Sequence, residues 1–421
     1  TTDIEGEWSE PIYLNSSGFD PSLFHDDDGR KWLVNMRWDH RAGRNQFSGI
    51  LLQEYDPKSQ KLIGEIKNIF LGTPIGLVEG PHIYKRNGWY YLLTAEGGTS
   101  YEHAVTFARS RTLDGEYEVH PHNPILTSWK NPDLELRKAG HASLVQTQTD
   151  EWYLAHLCGR PLEPNQERGY CPLGRETSLQ AMEWHDDDWL YLRGGGNSPH
   201  SQVPAPQLKS HPWETSPARD DFNLPELNLH WQSLRIPTDP SWVSLTERPG
   251  HLRLYGRESL ISNHAQSLIA RRLEDFQATA STKLEFNPTD SQHMAGLAMF
   301  YDNKHWVYLR VSKDEILGKT LNILVLDAGN YTEPLEQEVS IKGLEAVHLR
   351  VIIERQTFHF AYSSDGVTWI RIGKDFETYK LSDDYCNGLS FTGAFIALCV
   401  QDLTGTKLHA DFDYFEYQPK H

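Results

Sequence analysis

The sequence predicts an all-β chain, a partial β-propeller followed by a jelly-roll-like β-sandwich. Three observations predict this. Strand–turn–strand segments recur about every 60 residues in the first part of the chain. A stretch rich in Gly, Pro and Ser then breaks the pattern. A second series of hairpins follows, with no amphipathic helix between them. At 421 residues the chain is too long for one ordinary core. The boundaries read as blades over 1–193, a linker over 194–221 and a sandwich over 222–421.

The repeat is carried by "FDPSLFHDDDGRKWLVNM" from Phe19, "VEGPHIYKRNGWYYLLTA" from Val78 and "KAGHASLVQTQTDEWYLAHL" from Lys138. Each places a polar or ionisable residue before a short apolar strand, a turn and an aromatic-rich strand. Asp-Asp-Gly and Arg-Asn-Gly are good hairpin turns. Strand-like runs at 48–56, 104–110 and 178–192 fill the intervals, giving about four strands per repeat, the signature of a propeller blade. A plain sandwich of serial hairpins is the alternative. Three blades are fewer than the four a propeller usually needs. The opening "TTDIEGEWSEPIYLN" reads as the outer strand of a blade whose inner strands are absent.

After "RGGGNSPHSQVPAPQLKSHPWETSPARDD" the hairpin marks are "FYDNKHWVYLRV" (300–311), "HFAYSSDGVTWIRI" (359–372) and the closing "ADFDYFEY" (410–417). Alternation is clear in "HLRLYG" and "WVYLRV".

A net charge of −18 argues against a nucleic-acid partner, which wants a basic stripe. No apolar run approaches the ~18–20 residues of a membrane span. Cys158, Cys171, Cys386 and Cys399 form no CxxC pair. They read as buried thiols of a cytoplasmic protein, with a disulfide as the alternative. Thirteen Trp, 19 Tyr and 16 Phe supply strand formers and flat faces for sugars.

Aligning the three segments brings Asp20, Glu79 and His141 within one residue of each other at the start of each first strand. Taken singly, each is ordinary: a turn former, a loop carboxylate, a structural histidine. Their equivalence under the repeat is what suggests function, because inner strands of a propeller converge on one end of its channel. Two carboxyls facing a polar pocket are the tools of glycosidic cleavage. Glu79 suits the acid, kept protonated by the neighbouring negative charge of Asp20. His141 would anchor a water or a metal, though one histidine makes no metal site alone. "HDDDG" (25–29) and "WHDDDW" (184–189) lack calcium-loop spacing and read as hairpin turns.

Over essentially the whole chain the sequence resembles glycoside hydrolase family 43, and within it the two-domain β-xylosidases with α-L-arabinofuranosidase activity. The stretches that carry this are "GFDPSLFHDDDGRKWLVNM", "VEGPHIYKRNGWYYLLTAEGGTSYEHAVTFARS", "AGHASLVQT", "YCPLGRET", "LRLYGRESL" and "FTGAFIAL". The resemblance implies a five-bladed propeller before the sandwich, and exo-acting hydrolysis with inversion, of the xylan 1,4-β-xylosidase type. It matches Glu79 to the general acid and Asp20 to the residue that tunes and orients it. It matches His141 to a channel histidine that neighbours a bound calcium in some relatives; no cofactor is otherwise required. Arg175 matches an arginine holding sugar hydroxyls, Phe19 and Thr99 match pocket-lining positions, and Phe391 matches an aromatic that the sandwich contributes to the pocket mouth. A homo-oligomer acting on xylo-oligosaccharides is implied.

The departure from the family lies in its general base, an aspartate in an Asn-Pro-Asp-Pro-Ser-type motif, which this sequence lacks. "FNPTD" (286–290) lies in the sandwich and does not fit. The expectation is that the base and the first blades come from an N-terminal fragment or a second chain, and that this chain alone is inactive. A non-catalytic carbohydrate-binding protein and a structural propeller are the competing readings.

Overall fold

The computed structural model describes residues 1, 3–163, 166–386 and 391–420. The described residues divide into two compact units. The first comprises Thr1–Gly159, Pro164–Arg168 and Glu176–Ser210; the second comprises Arg160–Glu163, Gly169–Arg175 and His211–His421.

The first unit holds three antiparallel sheets. One contains β1 (Gly18–His25), β2 (Lys31–Trp38), β3 (Phe47–Asp56) and β4 (Lys61–Phe70) in that order. The next contains β5 (Glu79–Arg86), β6 (Trp89–Glu96), β7 (Ala104–Ser110) and β8 (Glu118–Val119), with β9 (Leu126–Thr127) also on β7. The third contains β10 (Arg137–Gln146), β11 (Trp152–Gly159), β12 (Glu176–Trp184) and β13 (Leu190–Leu192). Each is an up-and-down meander, as expected of a blade.

The sheets stack face to face, which explains the composition of their strands. Val34, Met36, Ile50 and Leu52 of the first sheet share a core with Ile83 and Leu92 of the second. The other face of the second sheet, with Tyr91, Leu93, Val105 and Phe107, packs on Leu144, Leu154, Met182 and Leu190 of the third. The middle sheet is therefore covered on both faces, so "WYYLLTAE" reads as a continuous apolar run instead of an alternating one. Truncating Leu92, which has no exposure, would cost about 2–5 kcal/mol.

The predicted turns hold, and the two acidic ones tie sheets together. Asp26 accepts from Lys85 Nζ at 2.6 Å and Tyr90 Oη at 2.9 Å. Burial alone would raise its carboxyl; the bonds from Lys85, Tyr90 and the Asp27 amide outweigh this and hold it below the ordinary range. Asp188 receives Asn87 Nδ2 at 2.9 Å from the neighbouring sheet. Both acidic runs are structural.

The opening segment has no ladder partner among the described residues. Among the described residues before Gly18 there is no strand. Ile4, Trp8 and Tyr13 are more than two-thirds exposed. An outer strand needs a ladder to satisfy its amides and carbonyls, and this segment pairs with neither β1 nor β4.

Residues 197–207 run along the third sheet. Gln180 exchanges two bonds with the backbone of His200, both 3.0 Å, and Tyr153 Oη donates to Pro204 O.

The second unit is a sandwich of two eight-stranded sheets. One is centred on His409–Pro419, Gln277–Glu285 and Ala346–Glu354, the other on Phe395–Asp402, His293–Asp302 and His305–Asp314. Strand Ala346–Glu354 turns Val347, Leu349, Val351 and Ile353 inward. They meet Leu297, Leu309 and Leu398 from the facing sheet.

Candidate active site

The site is built on a repeated irregularity. In each sheet of the first unit the innermost strand carries a bulge near its start. The register slips between Phe19 and Ser22, between Glu79 and His82, and between Gly140 and Ala142. At each slip one residue takes the left-handed conformation: Asp20 at φ 54°, Gly80 at φ 57° and His141 at φ 47°. The true equivalents are thus Asp20, Gly80 and His141, and Glu79 stands one residue earlier. Bulges re-aim side chains, and left-handed non-glycine residues cluster at functional sites.

The bulges bring Asp20 and His141 to the Gly80 peptide that follows Glu79. Asp20 Oδ2 accepts the Gly80 N–H at 3.1 Å, and Ser22 Oγ donates to Pro81 O at 2.6 Å, joining β1 to β5. Glu79 is buried and stands opposite Ala95 of β6. His141 packs on the peptide after it: a Cβ placed on Gly80 would lie 2.8 Å from His141 Nε2. Gly80 therefore serves twice, for its positive φ and for this close approach. Behind His141 stands His103, ring centroids 6.4 Å apart. His103 is buried, and its Nδ1 bonds to Lys138 O at 3.2 Å.

His82 lies between β5 and β10, with Nε2 3.3 Å from Ser143 Oγ. Its own burial pushes its pKa down, His141 adds to this, and Asp20 opposes it. It stays neutral at ordinary pH.

Phe19 sits in an aromatic cluster with Trp38 at 5.8 Å and Phe47 at 6.0 Å, and the two partners are 5.3 Å apart. Phe19 and Trp38 are each more than one-third exposed. Thr99 is half-buried, in the loop after β6. Arg175 and Phe391 belong to the second unit and meet there. The guanidinium carbon stands 4.2 Å from the Phe391 ring centroid. The segment bearing Arg175 is held by Arg272 Nη2, which donates to Leu173 O and Arg175 O, both at 2.7 Å.

Among the described residues, the one cluster of three His, Cys, Asp or Glu able to share an ion is His251, Glu285 and Asp413. Its carboxylates already pair with Arg248 at 2.7 Å and Lys283 at 2.6 Å. His141 belongs to no such cluster. Calcium takes roughly six to eight oxygen ligands, so the donors at His141 do not fit direct ligation.

Sequence reading missed Gly80, Trp38 and Phe47. Trp38 and Phe47 flank one hairpin loop, and only the pairing shows that they meet.

Comparison with known proteins places the family and the fold. Residues 1–190 match Glycosyl hydrolases family 43, and residues 219–418 match the Beta xylosidase C-terminal Concanavalin A-like domain. The chain is similar to a beta-xylosidase of Bacillus subtilis, 50% identical over 99% of this chain and 79% of that protein. It is also similar to xylosidase/arabinosidase 43B of Humicola insolens, 46% identical over 99% of this chain and 78% of that protein. The crystal structure of a xylan beta-1,4-xylosidase from Bacillus halodurans superposes with a TM-score of 0.96 at 54% identity, covering 99% of this chain and 80% of that one. The chain is a glycoside hydrolase of family 43, joining blade-like propeller sheets to the family's Concanavalin A-like C-terminal domain.

Proposed function

We propose that this chain carries the acid side of an exo-acting, inverting glycosidase. It releases xylose, and arabinofuranose as a side activity, from the non-reducing end of xylo-oligosaccharides. The observation that carries the reading is the Asp20–Gly80 bond, which fixes a carboxylate beside the residue following buried Glu79.

In this mechanism Glu79 gives its proton to the glycosidic oxygen as the bond from C1 to that oxygen breaks. A water adds to C1 from the opposite face, and a general base takes its proton, so the configuration inverts. Asp20 orients Glu79 and favours its protonated form. His141 anchors a water in the channel, and a calcium ion would be met there only through water. Phe19 and Thr99 line the pocket; Arg175 and Phe391 bind substrate. The chemistry calls for no cofactor.

The general base is proposed to come from a segment outside these residues. The sequence holds no Asn-Pro-Asp-Pro-Ser-type motif. The two end sheets also leave apolar side chains uncovered on their outer faces, Leu23 at 58% and Val145 at 50% exposure, opposite the buried Phe24 and Leu144. Such faces suit further blades.

The test is a 4-nitrophenyl-β-D-xyloside assay run with intact mass spectrometry of the same sample. Activity only where a second, base-bearing polypeptide is present supports the proposal. Full activity in a monodisperse preparation of this chain alone would overturn the assignment of the base.

A further inference from the structure

Glu96 is a buried carboxylate that the mechanism above does not use. It ends β6 and has no exposure. Ala95 faces Glu79 across the ladder, so alternation turns Glu96 to the other face, away from the reacting bond. There its oxygens accept from the Thr73 amide at 3.0 and 3.1 Å, the Thr73 hydroxyl at 2.7 Å, the Gly76 amide at 3.2 Å and the Thr106 hydroxyl at 3.0 Å. Every one of these groups donates to the carboxyl oxygens of Glu96.

Thr73 and Gly76 lie in residues 71–78, which hold no strand and end directly on Glu79. With no ladder of its own, this loop finds partners for two amides in one side chain. A second loop is joined to it. The Gly97 amide donates to Gly76 O at 2.8 Å, and Gly97 is two residues from Thr99. Burial pushes the Glu96 carboxyl above its ordinary value, and the bonds from Thr73, Thr106 and Gly76 offset only part of that rise.

We infer that Glu96 is a positioning residue, clasping the loop that delivers Glu79 and the loop that carries Thr99 so that the acid meets the leaving oxygen. The inference rests on the reading of Glu79 as the acid.

The test uses the enzyme with its base-bearing segment present and compares two substrates. Phenyl β-xyloside needs a proton on its leaving group, whereas 2,4-dinitrophenyl β-xyloside departs without one. Glu96→Gln keeps the size but turns one acceptor oxygen into a donor. Displacing the acid by about 1 Å should lower kcat/KM on the phenyl substrate by about 100-fold, and on the dinitrophenyl substrate by less than about tenfold. Thr73→Val should move the same ratio in the same direction by less, and Thr73→Ser should restore it. If Glu96→Gln does not fold, the Thr73 pair decides. Equal losses on both substrates, or no loss on either, would overturn the inference alone. Wild-type enzyme inert toward both would overturn the reading of Glu79, and this inference with it.

Discussion

The carboxylate of Asp20 accepts a hydrogen bond from the backbone N–H of Gly80 at 3.1 Å, joining two neighbouring sheets at the residue after Glu79. Both partners are left-handed residues of β-bulges, so two distortions of the ladder are spent on one contact. The contact fixes a negative charge close to the proposed acid.

Asp20→Asn isolates that charge, because the amide oxygen can still accept from Gly80. Without the charge the acid gives up its proton more readily. The alkaline limb of the kcat/KM profile should move to lower pH, and the maximum should fall about 10- to 100-fold. An unshifted profile would mean that Asp20 serves only the backbone.

Gly80→Ala forces an L-residue into φ 57° and sets a methyl 2.8 Å from His141 Nε2. The strain is about 1–2 kcal/mol before the clash is counted. Denaturant midpoints should fall accordingly, and kcat/KM should fall further than stability alone explains. Unchanged activity would show that the imidazole has no fixed place.

How much of this was legible differs from element to element. The hairpins of the three blades are written in Asp-Asp-Gly, Arg-Asn-Gly and their aromatic second strands, and β2, β6 and β11 begin at Lys31, Trp89 and Trp152. The approach of Asp20 and His141 to the peptide after Glu79 was legible from the repeat. The one-residue offset of Glu79 was not, because a bulge adds a residue that periodicity does not see. Glu96 reads as a strand end, since nothing in "TAEGG" tells that its partners are Thr73 and Gly76. The segment before Gly18 reads as a strand because an aromatic, alternating stretch carries the strand pattern whether or not a partner strand is there to pair with it.

Buried histidines make the first unit acid-sensitive. His120 packs on Trp189 at 4.8 Å, and its own burial pushes its pKa down to about 4; His122 and Arg109 add to this and Asp187 opposes it. A depressed histidine is stabilising above its unfolded value near 6.5, and that stability is lost as pH falls toward the folded value. The window is thus about pH 6.5 to 4. Melting temperatures should drop between pH 7 and pH 4.5, less steeply in His120→Gln. Equal slopes in the two proteins would count against it.

Phe391→Ala removes the ring under the Arg175 guanidinium, a contact at 4.2 Å. Losing a partly exposed cation–π pair of about 0.5–2 kcal/mol should raise KM several-fold and leave kcat nearly unchanged. A fall in kcat with constant KM would place this pair in the chemical step instead.

The account's central claim, that Glu79 is the proton donor, is tested most directly by xylobiose hydrolysis in Glu79→Gln, with the base-bearing segment present and sugar affinity measured by calorimetry. The prediction is a loss of about 10²–10⁴ in kcat, with affinity within a few-fold of wild type. Turnover of xylobiose near the wild-type rate would contradict the claim and assign the acid to another residue.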